Sequence, residues 1–191
     1  MSRGLIALAL LVMLTLGGTG CEQQRVKEFK AAQALLTENP QALDGRFNAQ
    51  LTLCRSIGRK TGRPIGAGTE FEMREESQVG AVLEVSGVEP GEVNMFHLVW
   101  IKPGEKEIFR RYAEVKVEPA EQGYRAVIQW KKFEDRFWLR EEVQESETPS
   151  FMLSGTLDTS LDKQREPGEY RYRVYFNREL LFDQPFTLKG A

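Results

Sequence analysis

The sequence predicts an all-β fold, an antiparallel β-sandwich preceded by a short N-terminal helix. Two observations carry this. From residue 47 onward, apolar residues recur at every second position in short runs, the pattern of strands with one buried and one wet face. Gly, Pro, Asn and Asp punctuate these runs closely enough to give eight or nine strands, the spacing of a sandwich. Connections this short join antiparallel neighbours, because parallel pairs need long crossovers.

The expected helix covers residues 22–38. Val26, Phe29, Ala32 and Leu36 recur at helical spacing, with Lys27, Lys30 and Glu38 on the other side. Asn39-Pro40 ends it, since proline cannot continue a helix and restricts the residue before it. Such a helix lies on its own domain as a tether or offers its apolar stripe to a partner. Asp44-Gly45 is a turn signal, and the sandwich is expected over 46–191.

The strands follow in order. Phe47 to Leu53 alternates. Val79, Ala81, Leu83 and Val85 form one apolar face, with Gly80, Val82 and Glu84 opposite. Met95 to Ile101 is apolar on both faces, which predicts a central strand covered on both sides. Pro103-Gly104 then turns into Lys106–Tyr112, a hairpin. Val115 and Val117 sit among charges, Tyr124 to Lys131 alternates, and Phe151, Leu153, Gly155 and Leu157 make another set. Residues 141–149, rich in Glu, read as an acidic loop. Tyr170, Tyr172, Val174 and Phe176 share a face, Asn177-Arg178 turns, and Leu180, Phe182, Phe186 and Leu188 return. Pro185 marks an edge or a bulge.

A strand-borne Trp100, the Pro167-Gly168-Glu169-Tyr170 lead-in and the terminal Phe186-Thr187-Leu188 strand resemble the immunoglobulin-like sandwiches of bacterial envelope lipoproteins, over roughly residues 47–189. The resemblance implies architecture and no functional residue. The cysteine pair of antibody domains is missing.

The first 21 residues carry the other signal. Arg3 precedes an apolar run from Leu5 to Leu16, well short of the ~20 residues that span a bilayer as a helix. A charged start, a short apolar stretch and a small-residue end make a secretory signal over residues 1–20. It resembles a bacterial lipoprotein signal: Thr19, Gly20 and Cys21 fit the lipid-attachment motif, with Gly18 where Leu is usual. The resemblance implies that Cys21 is the first mature residue, bearing a diacylglyceryl group and a further acyl chain such as palmitate. Each buried methylene contributes about 0.8 kcal/mol, so several chains anchor stably. Residues 21–45 then form the lipidated cysteine and tether. The expected location is the cell envelope, periplasm-facing; Glu22, where Asp would favour the inner membrane, points to the outer one.

The formal net charge is −2, and this near-neutral balance argues against nucleic acid as a partner. With Cys21 acylated, Cys54 stands alone, read as a small buried strand residue rather than a reactive thiol. The single histidine, His97, sits in the most apolar run and reads as a hydrogen-bonded core or face residue; a triad would need a nucleophile and a carboxylate beside it. One His and one thiol are too few for zinc. Asp158 to Asp162 is the nearest thing to a calcium loop. A carboxylate pair for glycoside hydrolysis is a weaker alternative, since nothing marks two of the 28 acidic residues. No catalytic residue, metal or cofactor is therefore assigned.

Two clusters are candidate ligand sites. Arg55, Arg59, Lys60 and Arg63 lie in a Gly-rich stretch read as a loop, suited to anionic headgroups or a polyanionic glycan. In the stretch Trp130–Glu142, Arg136, Trp138 and Arg140 share an outer face if Phe137 and Leu139 point inward. An exposed indole between guanidiniums suits a sugar or a peptide. The expectation is a lipid-anchored, non-catalytic binding or assembly module of the envelope, its partners the membrane through Cys21 and an envelope protein or glycan.

Overall fold

The computed structural model describes residues 47–190 apart from 75, 76, 135 and 164. The signal segment, Cys21 and the helix expected over 22–38 lie outside the described residues.

Among the described residues, β1 (Asn48–Ile57), β2 (Pro64–Ala67), β4 (Gln78–Ser86) and β9 (Ser150–Asp158) form a four-stranded sheet in the order β2-β1-β4-β9. β3 (Glu70–Glu72), β5 (Val93–Lys102), β6 (Lys106–Pro119), β7 (Tyr124–Phe133), β8 (Arg136–Ser146), β10 (Gly168–Phe176) and β11 (Glu179–Lys189) form a seven-stranded sheet in the order β3-β11-β10-β5-β6-β7-β8. The two pack face to face, the sandwich that the alternating pattern predicts. One pairing departs from antiparallel order: β3 runs parallel to β11, Glu70 opposite Thr187 and Glu72 opposite Lys189. The rule against short parallel connections is not violated, because the whole chain from β4 to β10 separates the two strands.

The core joins both inner faces. Leu53, Leu83, Leu153 and Leu157 of the small sheet meet Phe96, Trp100, Ile128 and Phe186 of the large one. Each such side chain contributes about 1.5–3 kcal/mol by leaving water. Trp100 packs against Tyr172 at 4.4 Å between ring centroids and edge-on to Phe186 at 5.8 Å. Tyr170 donates its hydroxyl to the Glu166 carbonyl at 2.7 Å, pinning the lead-in to β10. Gly168 is required there: its φ is +150° and a Cβ would stand 2.9 Å from Pro103 Cγ.

β5 is central, between β10 and β6. Its inner residues face the core, and its outer residues Val99 and Ile101 are also buried. In register beside them stand Arg110, Arg173 and Arg171, whose stems shield apolar surface while their heads reach Glu107, Glu105 and Asp183. The cover over the outer side of β5 thus includes long side chains from its own sheet. The Asn177-Arg178 turn has both residues at positive φ, 48° and 76°, the tight two-residue hairpin turn. Pro185 lies where β11 lacks an outer partner, β3 pairing only Thr187 to Lys189.

Two expectations need correction. The supposed acidic loop over 141–149 is strand to Ser146, with only 147–149 bent. Its carboxylates are held across the ladder: Glu141 accepts from Gln129 at 3.2 Å and Glu142 from Trp130 Nε1 at 3.3 Å. Charge on an edge strand also discourages pairing with other chains. Second, Gly80 and Val82 are buried rather than wet. The β1–β2 turn, closed by Gly58 N–H to Arg63 O (2.9 Å) and Gly62 N–H to Gly58 O (2.8 Å), doubles back over the outer face of the small sheet. A Cβ on Gly62 would stand 3.3 Å from Met152 Cε, two strands away in β9.

β8 also closes one side of the sandwich. The Gln144 side-chain amide donates to Met152 O and accepts from Met152 N–H, both at 2.8 Å, so one side chain pairs with the free edge of β9.

Candidate functional site

His97 lies on the outer face of β5, buried, edge-on to Tyr112 at 4.7 Å and beside Tyr175 at 6.2 Å. Its Nε2 makes no hydrogen bond and stands 3.9 Å from Glu134 Oε1, so the expected hydrogen-bonded histidine is unpaired at this atom. Burial pushes its pKa below the ordinary imidazole range; Glu134 pulls it back up, while Arg110 and Arg178 add to the depression. The thiol of Cys54 is in the other sheet, buried, with its pKa raised by desolvation. The two candidate nucleophilic or basic groups therefore belong to opposite layers.

Asp158 serves local structure. Its carboxylate accepts from the Ser160 N–H at 2.9 Å and hydroxyl at 2.6 Å, starting the short turn Leu161–Lys163. Those bonds hold its pKa below the usual carboxylate range. Among the described residues no three His, Cys, Asp or Glu side chains group as metal ligands do.

The basic cluster divides. Arg59, Lys60 and Arg63 are exposed on the β1–β2 turn, but Arg55 belongs to β1, which runs on to Ile57. Arg55 lines a polar cleft of about 410 Å³ with Glu70, Glu72, Arg74 and Lys189. Arg74 pairs with Glu72 there, and Lys189 with Glu70 at 2.6 Å. These are exposed pairs, screened by water, and they hold the cleft only weakly. At the opposite end, where the chain leaves Phe47, a cleft of about 720 Å³ opens among Phe47, Val88, Val93, Tyr124 and Phe176.

The β7–β8 hairpin is the most exposed apolar part of the described structure. Its tip folds back over the outer face of the large sheet: Glu134 accepts from Arg178 Nε at 3.0 Å and Nη2 at 2.8 Å, at the β10–β11 turn, while facing His97. Phe133, Phe137, Trp138 and Leu139 remain 46, 61, 60 and 54% exposed. Phe137 meets Phe133 edge-on at 5.5 Å, and Lys132 Nζ lies 5.6 Å over the Phe133 ring.

Phe137 and Leu139 do not point into a core, and Trp138 does not share a face with Arg140. Trp130 pairs with Arg140 but Lys131 with Trp138, so Leu139 is an extra residue in β8. Such a bulge carries the strand beyond it to the opposite face. Arg140 sits on the inner side, its guanidinium 5.4 Å over the buried Trp130 ring. Trp138 sits with Lys131 on the outer side, where Lys131 pairs with Glu114. Arg136 is opposite Phe133 in register. The proposed trio is thus split by one inserted residue. The run Phe137-Trp138-Leu139, three apolar residues in succession, breaks period two and is the signal that could have located the bulge.

No protein-family model matches the chain, and no curated protein matches it in sequence. Among solved structures, an immunoglobulin-like protein from Pseudomonas aeruginosa is similar at 14% identity, covering 75% of this chain and 95% of that one, with a TM-score of 0.39. The alkylpurine DNA glycosylase AlkC of Pseudomonas fluorescens, bound to DNA containing an abasic site analog, is similar at 12% identity over 83% of this chain and 34% of that one (TM-score 0.39). A family 123 glycoside hydrolase from Clostridium perfringens follows at 8% identity over 76% and 27% (TM-score 0.33). The chain spans about a third or less of the two enzymes. At these scores no residue, activity or ligand is carried across.

Proposed function

We propose that this protein is a lipid-anchored, extracytoplasmic, immunoglobulin-like sandwich that acts without catalysis as a binding or assembly module of a bacterial cell envelope. The lipid-signal pattern ending at Cys21 supports the anchor and the compartment. Trp100 in the core and the Tyr170 hydroxyl bonded back to Glu166 support the immunoglobulin-like reading, since a strand-borne core Trp and a tyrosine corner recur in that fold.

One observation carries the binding role. Two hairpins fold back onto opposite outer faces of the sandwich, one presenting Arg59, Lys60 and Arg63, the other Phe133, Phe137, Trp138 and Leu139. A rigid body with two chemically distinct exposed surfaces is suited to hold two components together. The test places a photo-crosslinking residue at Lys60 and, separately, at Trp138 in the anchored protein within its native envelope. A specific protein adduct at Lys60 supports an assembly role. Glycan adducts there favour a polyanionic glycan partner. Adducts that are the same at both positions and at a control site on β6 would sink the binding reading and leave a structural one.

A further inference from the structure

We propose that the tip of the β7–β8 hairpin is a membrane-contact element that lies in the headgroup layer of a bilayer containing anionic lipid. This rests on the lipid-anchored reading and names the partner of one of its two surfaces. Single exposed apolar residues are ordinary on any protein, whereas four large ones within seven residues of chain are not. The tip is held in this state: Arg178 grips Glu134 across two turns, and the bulge at Leu139 turns Trp138 away from the core.

The chemistry around the rings fits an interface between water and hydrocarbon. The tip from Lys132 to Leu139, with the Arg178 that grips it, carries Lys132, Arg136 and Arg178 against Glu134 and Asp135; Arg140 lies on the other face and Lys131 is paired with Glu114. This positive excess complements anionic headgroups, and Trp with Lys or Arg is the composition that settles at that depth. A sugar platform fits less well, because Trp138 and Arg140 face opposite ways. A second copy paired through β8 fits less well too: antiparallel pairing about Val143 sets Glu141 against Glu145. Reach is sufficient. Even with the helix expected over 22–38, the 25 residues between Cys21 and Phe47 would span up to ~50 Å. With the tip on the bilayer, the basic β1–β2 turn, on the opposite face, is presented away from it.

The test uses the full lipidated protein in vesicles of phosphatidylcholine and phosphatidylglycerol, with part of the phosphatidylcholine brominated near the top of its acyl chains. Tryptophan emission is read alongside vesicle flotation. Trp100 and Trp130 are buried and serve as shielded references. Loss of most of the Trp138 emission in brominated vesicles, abolished in Trp138→Phe and weaker without phosphatidylglycerol, is the expected result. Flotation with no quenching overturns the tip contact and leaves the anchor standing. Absence of both flotation and quenching overturns the anchored reading together with this one. Equal quenching in Trp138→Phe also overturns the tip contact.

Discussion

The two folded-back hairpins solve one geometric problem with opposite use of their side chains. The β1–β2 turn reaches across the outer face of the small sheet to Met152, a face where Cys54, Gly80 and Val82 are all buried, and keeps Arg59, Lys60 and Arg63 in water. Beside it the β1–β4 pair fits tightly: a Cβ on Gly80 would stand 2.9 Å from both Cys54 Sγ and Ile57 Cγ1. The β7–β8 tip lies over His97 with a gap of 3.9 Å to the nearest carboxylate oxygen, and its own aromatic residues stay outside. The first turn is closed by backbone hydrogen bonds of its own, Gly58 with Arg63 and Gly62 with Gly58, and leaves charge for solvent. The second is gripped by a carboxylate–guanidinium contact, which leaves apolar surface for solvent. How a hairpin is fastened therefore decides which chemistry it displays.

The largest expected effect is at the close β1–β4 contact beside the first turn. Gly80→Val should cost about 1–3 kcal/mol of stability, the usual range for overpacking, read as a shift of the urea midpoint. Adding Cys54→Ala should return part of that loss by making room, and a strictly additive double mutant would show that the two residues do not share the space.

The next effect separates the hairpins by pH. His97 is held neutral by burial, its pKa below the unfolded value of about 6.5. The unfolded chain then binds the extra proton first, so stability rises with pH up to about 6.5 and declines on acidification below it. His97→Gln should flatten that slope in urea titrations at successive pH values, with Gly80 variants keeping it. An unchanged slope in His97→Gln would assign the acid sensitivity elsewhere.

Glu134→Gln should cost no more than about 1 kcal/mol, because its partner Arg178 is largely exposed. It should nonetheless speed hydrogen exchange at Lys132 and Phe133 and lower the His97 pKa further, since Glu134 is the group that raises it. The smallest changes belong to the displayed residues. Trp138→Ala and Lys60→Glu should each move stability by about 0.5 kcal/mol or less, checked by the same midpoint.

Much of the architecture was legible because period two is imposed by the pleat. Val79–Val85, Met95–Ile101 and the closing hairpin around Asn177-Arg178 reveal themselves by alternation and turn chemistry. β2 and β3 carry too few residues for a period to show and exist through their partners β1 and β11. The acidic stretch over 141–146 hid a strand because an edge with no layer beneath it needs no apolar face. Trp138 and Arg140 could be named as exposed candidates, but their relative facing turned on Leu139, one inserted residue. Arg55 fell away from its neighbours because β1 outlasts the apparent loop. The unpaired nitrogen of His97 depends on Glu134, 37 positions away in the chain, and no local pattern encodes it.

The Gln144 amide bears on how this fold behaves when many copies are crowded together. By answering both backbone groups of Met152, it makes a short stretch of β9 unavailable as a template for a stranger's strand. An open strand edge is a template on which colliding copies pair and aggregate. A single side chain on β8 thus closes part of that template, and its value grows with the concentration of the protein.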